Sequence, residues 1–247
     1  MNNFIQEAEE YNYILLNTNA GAPGRSYLNQ RGINDETIKY WKLGYCPIGY
    51  TPKCYKDQID NNCNKFWSKL YGRVTIPVID QNGVMVSISG RQVIKVGNAP
   101  KYDHYSFNAR KILFGLYQNK EDILEEGRII ITEGQIDVIS SWQNGLKIVA
   151  SSFGAHCSLD HFAIVSRYAS VVDVLYDEDK AGWTGTQAIE DFPTWGDLIV
   201  NLRTGIFPPK EDLDSWIKKH SKEELYRLIE ENDKVLLRRK FIKSFKK

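Results

Sequence analysis

The chain has 247 residues, enough to bury a sizeable core, and carries 32 Lys plus Arg against 31 Asp plus Glu for a net charge of +1. That balance excludes a global basic field, so any affinity for nucleic acid must come from a local cationic face and should weaken as salt rises. No apolar run approaches the roughly 20 residues a membrane helix needs, and the polar N-terminus lacks a signal-peptide pattern, so a soluble, cytoplasmic protein with no membrane partner is expected.

In chain order, a short N-terminal helical piece is set apart by Gly21 to Gly24, which reads as a flexible joint. Arg73 to Asp80 and Val84 to Val93 are strand-like runs joined by Gln81-Asn82-Gly83, and Asn-Gly between β-runs is the strongest short hairpin signal. Arg73 and Arg91 flank this hairpin, and Lys101, Arg110 and Lys111 follow it. If the hairpin lies against the unit that follows, these cations would line a groove. Each taken singly is more simply a solvated charge. Tyr102 and Tyr105 beside Lys101 offer rings on which bases could stack, although packing explains tyrosines equally well.

Arg128-Ile129-Ile130-Ile131-Thr132 is short, β-branched and unbroken, as suits a strand buried on both faces of a parallel sheet. The period then changes: Ile136, Val138, Ile139 and Trp142 recur at helical spacing until Asn144-Gly145. A strand over Leu146 to Ala150, a helix over Ser158 to Tyr168, a strand over Ser170 to Tyr176, a helix over Lys180 to Phe192 and a strand over Asp197 to Leu202 complete the alternation. The expected fold class is α/β: an α+β N-terminal subdomain, then a Rossmann-like α/β subdomain with a parallel sheet core and a helical C-terminal end.

Two acidic clusters follow directly on these strands, Glu133-Gly134-Gln135-Ile136-Asp137 and Asp177-Glu178-Asp179. In open α/β sheets ligands gather outside the carboxyl ends of the strands. Three oxygen donors converging there suit magnesium, which keeps waters and prefers carboxylates plus substrate phosphates. Carboxylates at that spacing raise one another's pKa unless a cation intervenes. The reaction class this implies is phosphoryl or nucleotidyl transfer. Alone, either cluster is more simply a helix cap or solvated turn, and the pair Asp212 and Asp214 reads equally well as the start of a helix.

EGQID after one strand and YDEDKAG after another resemble the paired motifs of the Toprim fold, shared by bacterial-type (DnaG-like) primases, type IA and II topoisomerases and some nucleases. Upstream, Tyr27-Leu28-Asn29-Gln30-Arg31-Gly32-Ile33 and Leu43-Gly44-Tyr45-Cys46-Pro47 are similar to the start of the primase catalytic core. Gly72 to Val78, Gly90-Arg91, Pro100-Lys101-Tyr102 and Leu113 to Tyr117 follow in the primase order, a series the other Toprim enzymes lack. The resemblance spans roughly Ser26 to Asp214. It implies a primase-like N-terminal subdomain over 1–125, a Toprim catalytic subdomain over 126–205, and an acidic loop with a C-terminal helical segment over 206–247.

By the same resemblance, Glu133, Asp177 and Asp179 would form a metal-dependent catalytic centre, with Asp137, Asp212 and Asp214 as supporting acidic ligands. Glu133 is left as either a third ligand or the group that accepts the hydroxyl proton. Arg73, Arg91 and Lys101 would contact template or nucleotide phosphates, either Arg110 or Lys111 would stand for a further family lysine, and Tyr102 beside Lys101 is taken with them as a nucleic-acid or nucleotide contact. The implied function is DNA primase: short RNA primers made from ribonucleoside triphosphates on single-stranded DNA, with Mg2+ as cofactor and Mn2+ as a substitute. The rival readings are a Toprim nuclease and a non-catalytic replisome subunit. Leu213 stands where the family usually has a proline between two aspartates, and Asp103-His104-Tyr105 replaces the usual Leu-Asn-Ser.

Cys46, Cys54, Cys63 and Cys157 form no CxxC pair, so no zinc site is expected in this chain. The chain begins almost at the implied core, so template selection is expected either from a separate zinc-ribbon protein or to be relaxed, with the replicative helicase as a further partner. The scattered His104, His156, His161 and His220 read as structural. From Lys234 to Lys247 basic and apolar residues interleave as in an amphipathic helix.

Overall fold

The computed structural model describes residues 3–58, 68–177, 179–190, 201–208 and 211–231. It divides into two units, Met1–Phe107 and Asn108–Lys247.

In the first unit, three helices, α1 (Phe4–Asn17), α2 (Ala22–Gln30) and α3 (Asp35–Tyr40), accompany an antiparallel sheet. Its strands β1 (Gly44–Cys46), β2 (Arg73–Ile79), β3 (Met85–Gln92) and β4 (Tyr102–His104) lie in sequence order. The expected hairpin is β2–β3. Asp80 Oδ1 accepts the Asn82 and Val84 amides, both at 2.9 Å, and Gly83 takes a φ of 88°, which a side chain would resist. Helix α1 buries Ala8, Tyr11, Ile14 and Leu15 as one stripe.

The same face buries a carboxylate. Glu7 is fully buried and accepts the hydroxyls of Tyr105 at 2.6 Å, Tyr11 at 2.8 Å and Tyr55 at 3.1 Å. Burial pushes its pKa up and the three phenols hold it down. Gly21 and Gly24 are not a flexible joint. A Cβ on Gly21 would stand 2.3 Å from the Ile14 carbonyl oxygen, and one on Gly24 would stand 2.8 Å from Leu15 Cδ1, so both glycines mark close packing on α1.

The second unit opens with α4 (Leu116–Glu126) and then alternates β5 (Arg128–Thr132), α5 (Gln135–Gln143), β6 (Val149–Ser151), α6 (Leu159–Val165), β7 (Val171–Tyr176), α7 (Lys180–Glu190), β8 (Asn201–Ile206) and α8 (Leu213–Ile217). The sheet is all parallel in the order β6-β5-β7-β8. Central β5 and β7 are apolar on both faces: Ile129, Ile130, Ile131, Val172 and Val174 are all fully buried. Helix α6 starts at a capping box in which Ser158 and His161 exchange hydrogen bonds, and His161 Nε2 lies 2.7 Å from the Ala109 carbonyl. That makes His161 structural, as expected.

Strand β8, expected over Asp197 to Leu202, runs on past Leu202. It pairs with β7 from Asn201 to Ile206, because β7 continues to Tyr176 and the ladder follows it through Arg203 and Thr204 rather than stopping at the apolar run. Residues 197–200, Cys63, Glu178, Phe192 and the segment 234–247 lie outside the described residues. Among the described residues no helix is long and apolar enough to cross a membrane.

Candidate active site

Each acidic cluster sits where a buried strand ends and a helix begins. Glu133 follows β5 and Gly134 is the N-cap of α5, while Asp177 follows β7 and Asp179 precedes α7. Glu133 Oε1 accepts the Asp177 amide at 3.1 Å, which ties the two strand ends together. Asp179 Oδ1 accepts the Gly182 amide at 2.8 Å, so this residue also serves the helix start. Gly182 leaves room for the arrangement, since a Cβ there would stand 2.1 Å from the Asp177 carbonyl oxygen and 3.1 Å from Glu133 Oε1.

The electrostatics follow from this crowding. Glu133 is pushed up to about 7, first by burial and then by the charges of Asp177 and Asp179, against the pull of the Asp177 amide. Asp177 is raised by burial, by Asp212 and by Asp179. Among the described residues no lysine or arginine pairs with Glu133, Asp177, Asp179 or Asp212. Carboxylates that repel one another without a cationic side chain fit a divalent ion, which would remove the penalty. Among the described residues no group of three or more Asp, Glu, His or Cys side chains is arranged to hold an ion by itself. A divalent ion of the magnesium type takes few protein carboxylates and completes its shell with waters and phosphates, so these crowded side chains need supply only part of its donors.

The other expected acidic ligands separate. Asp212 is the N-cap of α8, accepting the Ser215 amide at 2.7 Å, and still raises Asp177. Asp137, in the first turn of α5, folds back so that its Oδ2 lies 2.3 Å from where a Cβ on Gly134 would stand. Asp214, expected among the supporting ligands, is buried, hydrogen-bonded by Ser140 and ion-paired with Lys218 at 2.6 Å. Leu213 is buried as the first residue of α8, so apolar packing takes the position where a proline was expected.

The basic residues also differ from one another. Arg73 is 1% exposed. Its Nε donates to the Lys69 carbonyl at 2.9 Å, Nη1 to those of Gly90 and Lys101 at 3.2 Å each, and Nη2 to that of Pro100 at 2.8 Å. With its donors on main-chain carbonyls, Arg73, expected to contact phosphate, here holds the surrounding main chain. Arg91 keeps a cationic role, its guanidinium 5.1 Å from the Tyr102 ring centroid and 5.7 Å from that of Tyr27. Lys101, Arg110 and Lys111 are exposed, the last two in the second unit. Tyr105 is not available to bases, because its hydroxyl reaches Glu7 and its ring stacks on Phe4.

Sequence reading missed the loop that steadies Glu133. Ser151 Oγ and the Gly154 amide donate to the Glu133 carbonyl at 2.6 and 3.0 Å, and Phe153 between them takes a φ of 61°. Ser152 Oγ lies 3.3 Å from the Tyr176 hydroxyl, beside Asp177. The signal was present in Ser151-Ser152-Phe153-Gly154, small polar residues directly after a strand. Cys46 and Cys157 are buried and their thiols are pushed up by burial, Cys46 to about 12.

Comparison with known proteins matches residues 11–120 to the N-terminal domain of the DNA primase catalytic core and residues 130–217 to a Toprim-like domain. The chain thus carries a DNA primase N-terminal catalytic-core domain followed by a Toprim-like domain and is homologous to bacterial DNA primases. The DNA primase of Enterococcus faecalis is 28% identical over 244 residues, covering 87% of this chain and 38% of that protein. Among solved structures, the Escherichia coli primase catalytic core is similar with a TM-score of 0.74 at 26% identity, covering 92% of this chain and 78% of that one. The Aquifex aeolicus primase, comprising zinc-binding and RNA polymerase domains, gives a TM-score of 0.74 at 27% identity over 91% of this chain and 58% of that one. The chain spans about two fifths of the length of the curated primases it matches. The upstream series, in the primase order, lies within the first of the two matched regions.

Proposed function

We propose that the chain is the catalytic core of a DNA primase, a DNA-directed RNA polymerase that makes short RNA primers on single-stranded DNA during replication. The observation that carries this reading is the meeting of Glu133 and Asp177 at adjacent parallel strand ends, crowded with Asp179 and Asp212 and without a cationic side chain among the described residues. Asp177 and Asp179, with Glu133 beside them, would hold magnesium or manganese, which supplies charge neutralisation for a bound triphosphate. The strands and the Ser151–Gly154 loop fix these carboxylates in place before substrate arrives, so little reorganisation accompanies reaction. Glu133, held near neutrality, is suited to take the proton of a ribose hydroxyl.

In this proposal the template binds through Arg91 and Tyr102, whose stacked cation and ring suit bases and phosphates together, and through exposed Lys101. Arg110 and Lys111 would meet nucleotide phosphates from the second unit. A separate zinc-ribbon protein would select the template sequence and the replicative helicase would recruit the core. The test is incubation with single-stranded DNA, labelled ribonucleotides and Mg2+ or Mn2+, with and without a zinc-ribbon partner, beside Asp177→Asn. Short RNA products that vanish in the variant are expected. DNA shortening without RNA would make the chain a nuclease, and binding with neither product would make it a template-binding subunit.

A further inference from the structure

At the opposite ends of β5 and β7 from the carboxylate centre lies a second cluster of charge. Asp173, fully buried in β7, is flanked by arginines from both neighbouring strands. Arg128 Nε of β5 lies 2.6 Å from its Oδ2, and Arg203 of β8 reaches Oδ1 at 2.6 Å and Oδ2 at 3.0 Å. Both arginine side chains are themselves nearly buried, 15% and 13% exposed. Asp173 faces Arg203 directly in register and Arg128 on the diagonal, two residues along from the Arg128–Val171 pair.

The apolar residues around this triad do not fix the pairing. Ile129, Ile130 and Ile131 are identical and buried on both faces, and Val171, Val172 and Val174 repeat along the partner. A sheet with one wet face rejects a slipped register because the slip exposes its apolar side, and a sheet covered on both faces lacks that control. Here the charges provide it. A slip of one residue would turn an arginine to the other face and leave Asp173 buried without it. Buried ion clusters are weak sources of stability and are best attested as devices of register.

We infer that Asp173, with Arg128 and Arg203, is a positioning residue that pins the register of β5 and β8 on β7 and thereby sets the level of Glu133 against Asp177. This rests on the reading of those carboxylates as the working centre. Glu133 is five residues beyond Arg128 and Asp177 four beyond Asp173. Each residue of slip would displace one strand end by roughly 3.3 Å, enough to break the 3.1 Å bond from the Asp177 amide to Glu133.

The test replaces the triad by apolar residues together, Asp173→Val, Arg128→Met and Arg203→Met, so that no buried charge is stranded. Register is read from interstrand NOEs between Ile130 and residue 173, and between residues 173 and 203, in the perdeuterated full chain. Binding of Mn2+ alone is followed by EPR, with circular dichroism as the check of folding. The expected result is a folded protein with doubled or displaced NOEs and at least tenfold weaker Mn2+ binding. Native NOEs alone with unchanged Mn2+ binding would overturn the inference. Should the triple variant not fold, Asp173→Asn carries the same readouts, with partial doubling expected and a purely native set overturning it. Glu133→Gln should weaken Mn2+ binding while keeping native NOEs. If it binds Mn2+ as the unaltered chain does, the carboxylate reading fails, and the NOEs of the triad variants still decide the pin.

Discussion

Glu7 and Arg73 in the first unit and the strand-end carboxylates of the second are charged groups withdrawn from water in opposite ways. In the first, Glu7 is surrounded by three phenol donors and Arg73 by four main-chain carbonyls, so each ion is met by neutral groups of the right polarity. In the second, Glu133 and Asp177 are half-buried beside other carboxylates, and their neighbours make the charge harder to hold. A satisfied buried ion is framework. An unsatisfied cluster at strand ends stores unfavourable energy that a cation can release, which is why it reads as a site.

The largest test of this contrast is Asp177→Asn. If the chain is the primase core proposed above, primer synthesis should fall by more than about 100-fold, since losing a proposed ligand exceeds the effect of losing its supporting partners. In the cation-free protein it should raise thermal stability slightly, because like charges are removed. A fall in stability from this change would place Asp177 with Glu7 as framework.

Next is Arg73→Ala, which would strand buried carbonyls at about 1 kcal/mol or more each and should lower unfolding free energy by about 3–5 kcal/mol in urea titration. If Arg73→Ala proves nearly neutral in stability yet weakens binding to single-stranded DNA, the framework role is wrong. Gly182→Ala should follow in size. The clash with the Asp177 carbonyl and Glu133 predicts at least tenfold weaker Mn2+ binding by EPR, with the first unit unaffected.

The smallest expected effect is on pH dependence. Glu133 is raised in the folded state to about 7 from an ordinary 4.5, so between those values the folded protein holds a proton that the unfolded chain has released. Its contribution is therefore fully present below about pH 4.5 and lost as pH rises through 7. Glu7 is raised as well, with the same sign. Urea titrations from pH 4 to 8 without divalent cation should show a decline that is shallower in Glu133→Gln. Added Mg2+ should flatten it in the unaltered chain and not in the variant.

Much of the second unit was legible because its strands are short β-branched runs with acidic residues at their ends, and β5 fell on Arg128 to Thr132 as expected. The carboxylate cluster followed, since topology alone brings Glu133 and Asp177 to neighbouring strand ends. Less legible was which charge meets which partner. Arg73 and Arg91 look alike in sequence, yet one lies beneath a turn whose carbonyls point inward and the other lies across tyrosine rings. Asp212 and Asp214 are likewise two residues apart in an acidic loop, and the first turn of α8 sends one to the cap and the other toward Ser140. Such outcomes depend on long-range packing, which local pattern does not encode. The Toprim-like match ends at residue 217 and Arg203 lies just inside it.

The helical turns at 222–231 reach back across the second unit. The Tyr226 ring sits 3.7 Å from the Arg128 guanidinium, Lys222 and the Tyr226 hydroxyl both meet Glu126, and Glu230 lies 3.9 Å from Arg203. Side-chain contacts to the sheet and to α4 therefore continue past the end of the Toprim-like match at 217, as far as residue 230. A truncation at that boundary would uncap two arginines at the base of the sheet while leaving every acidic motif in the sequence intact.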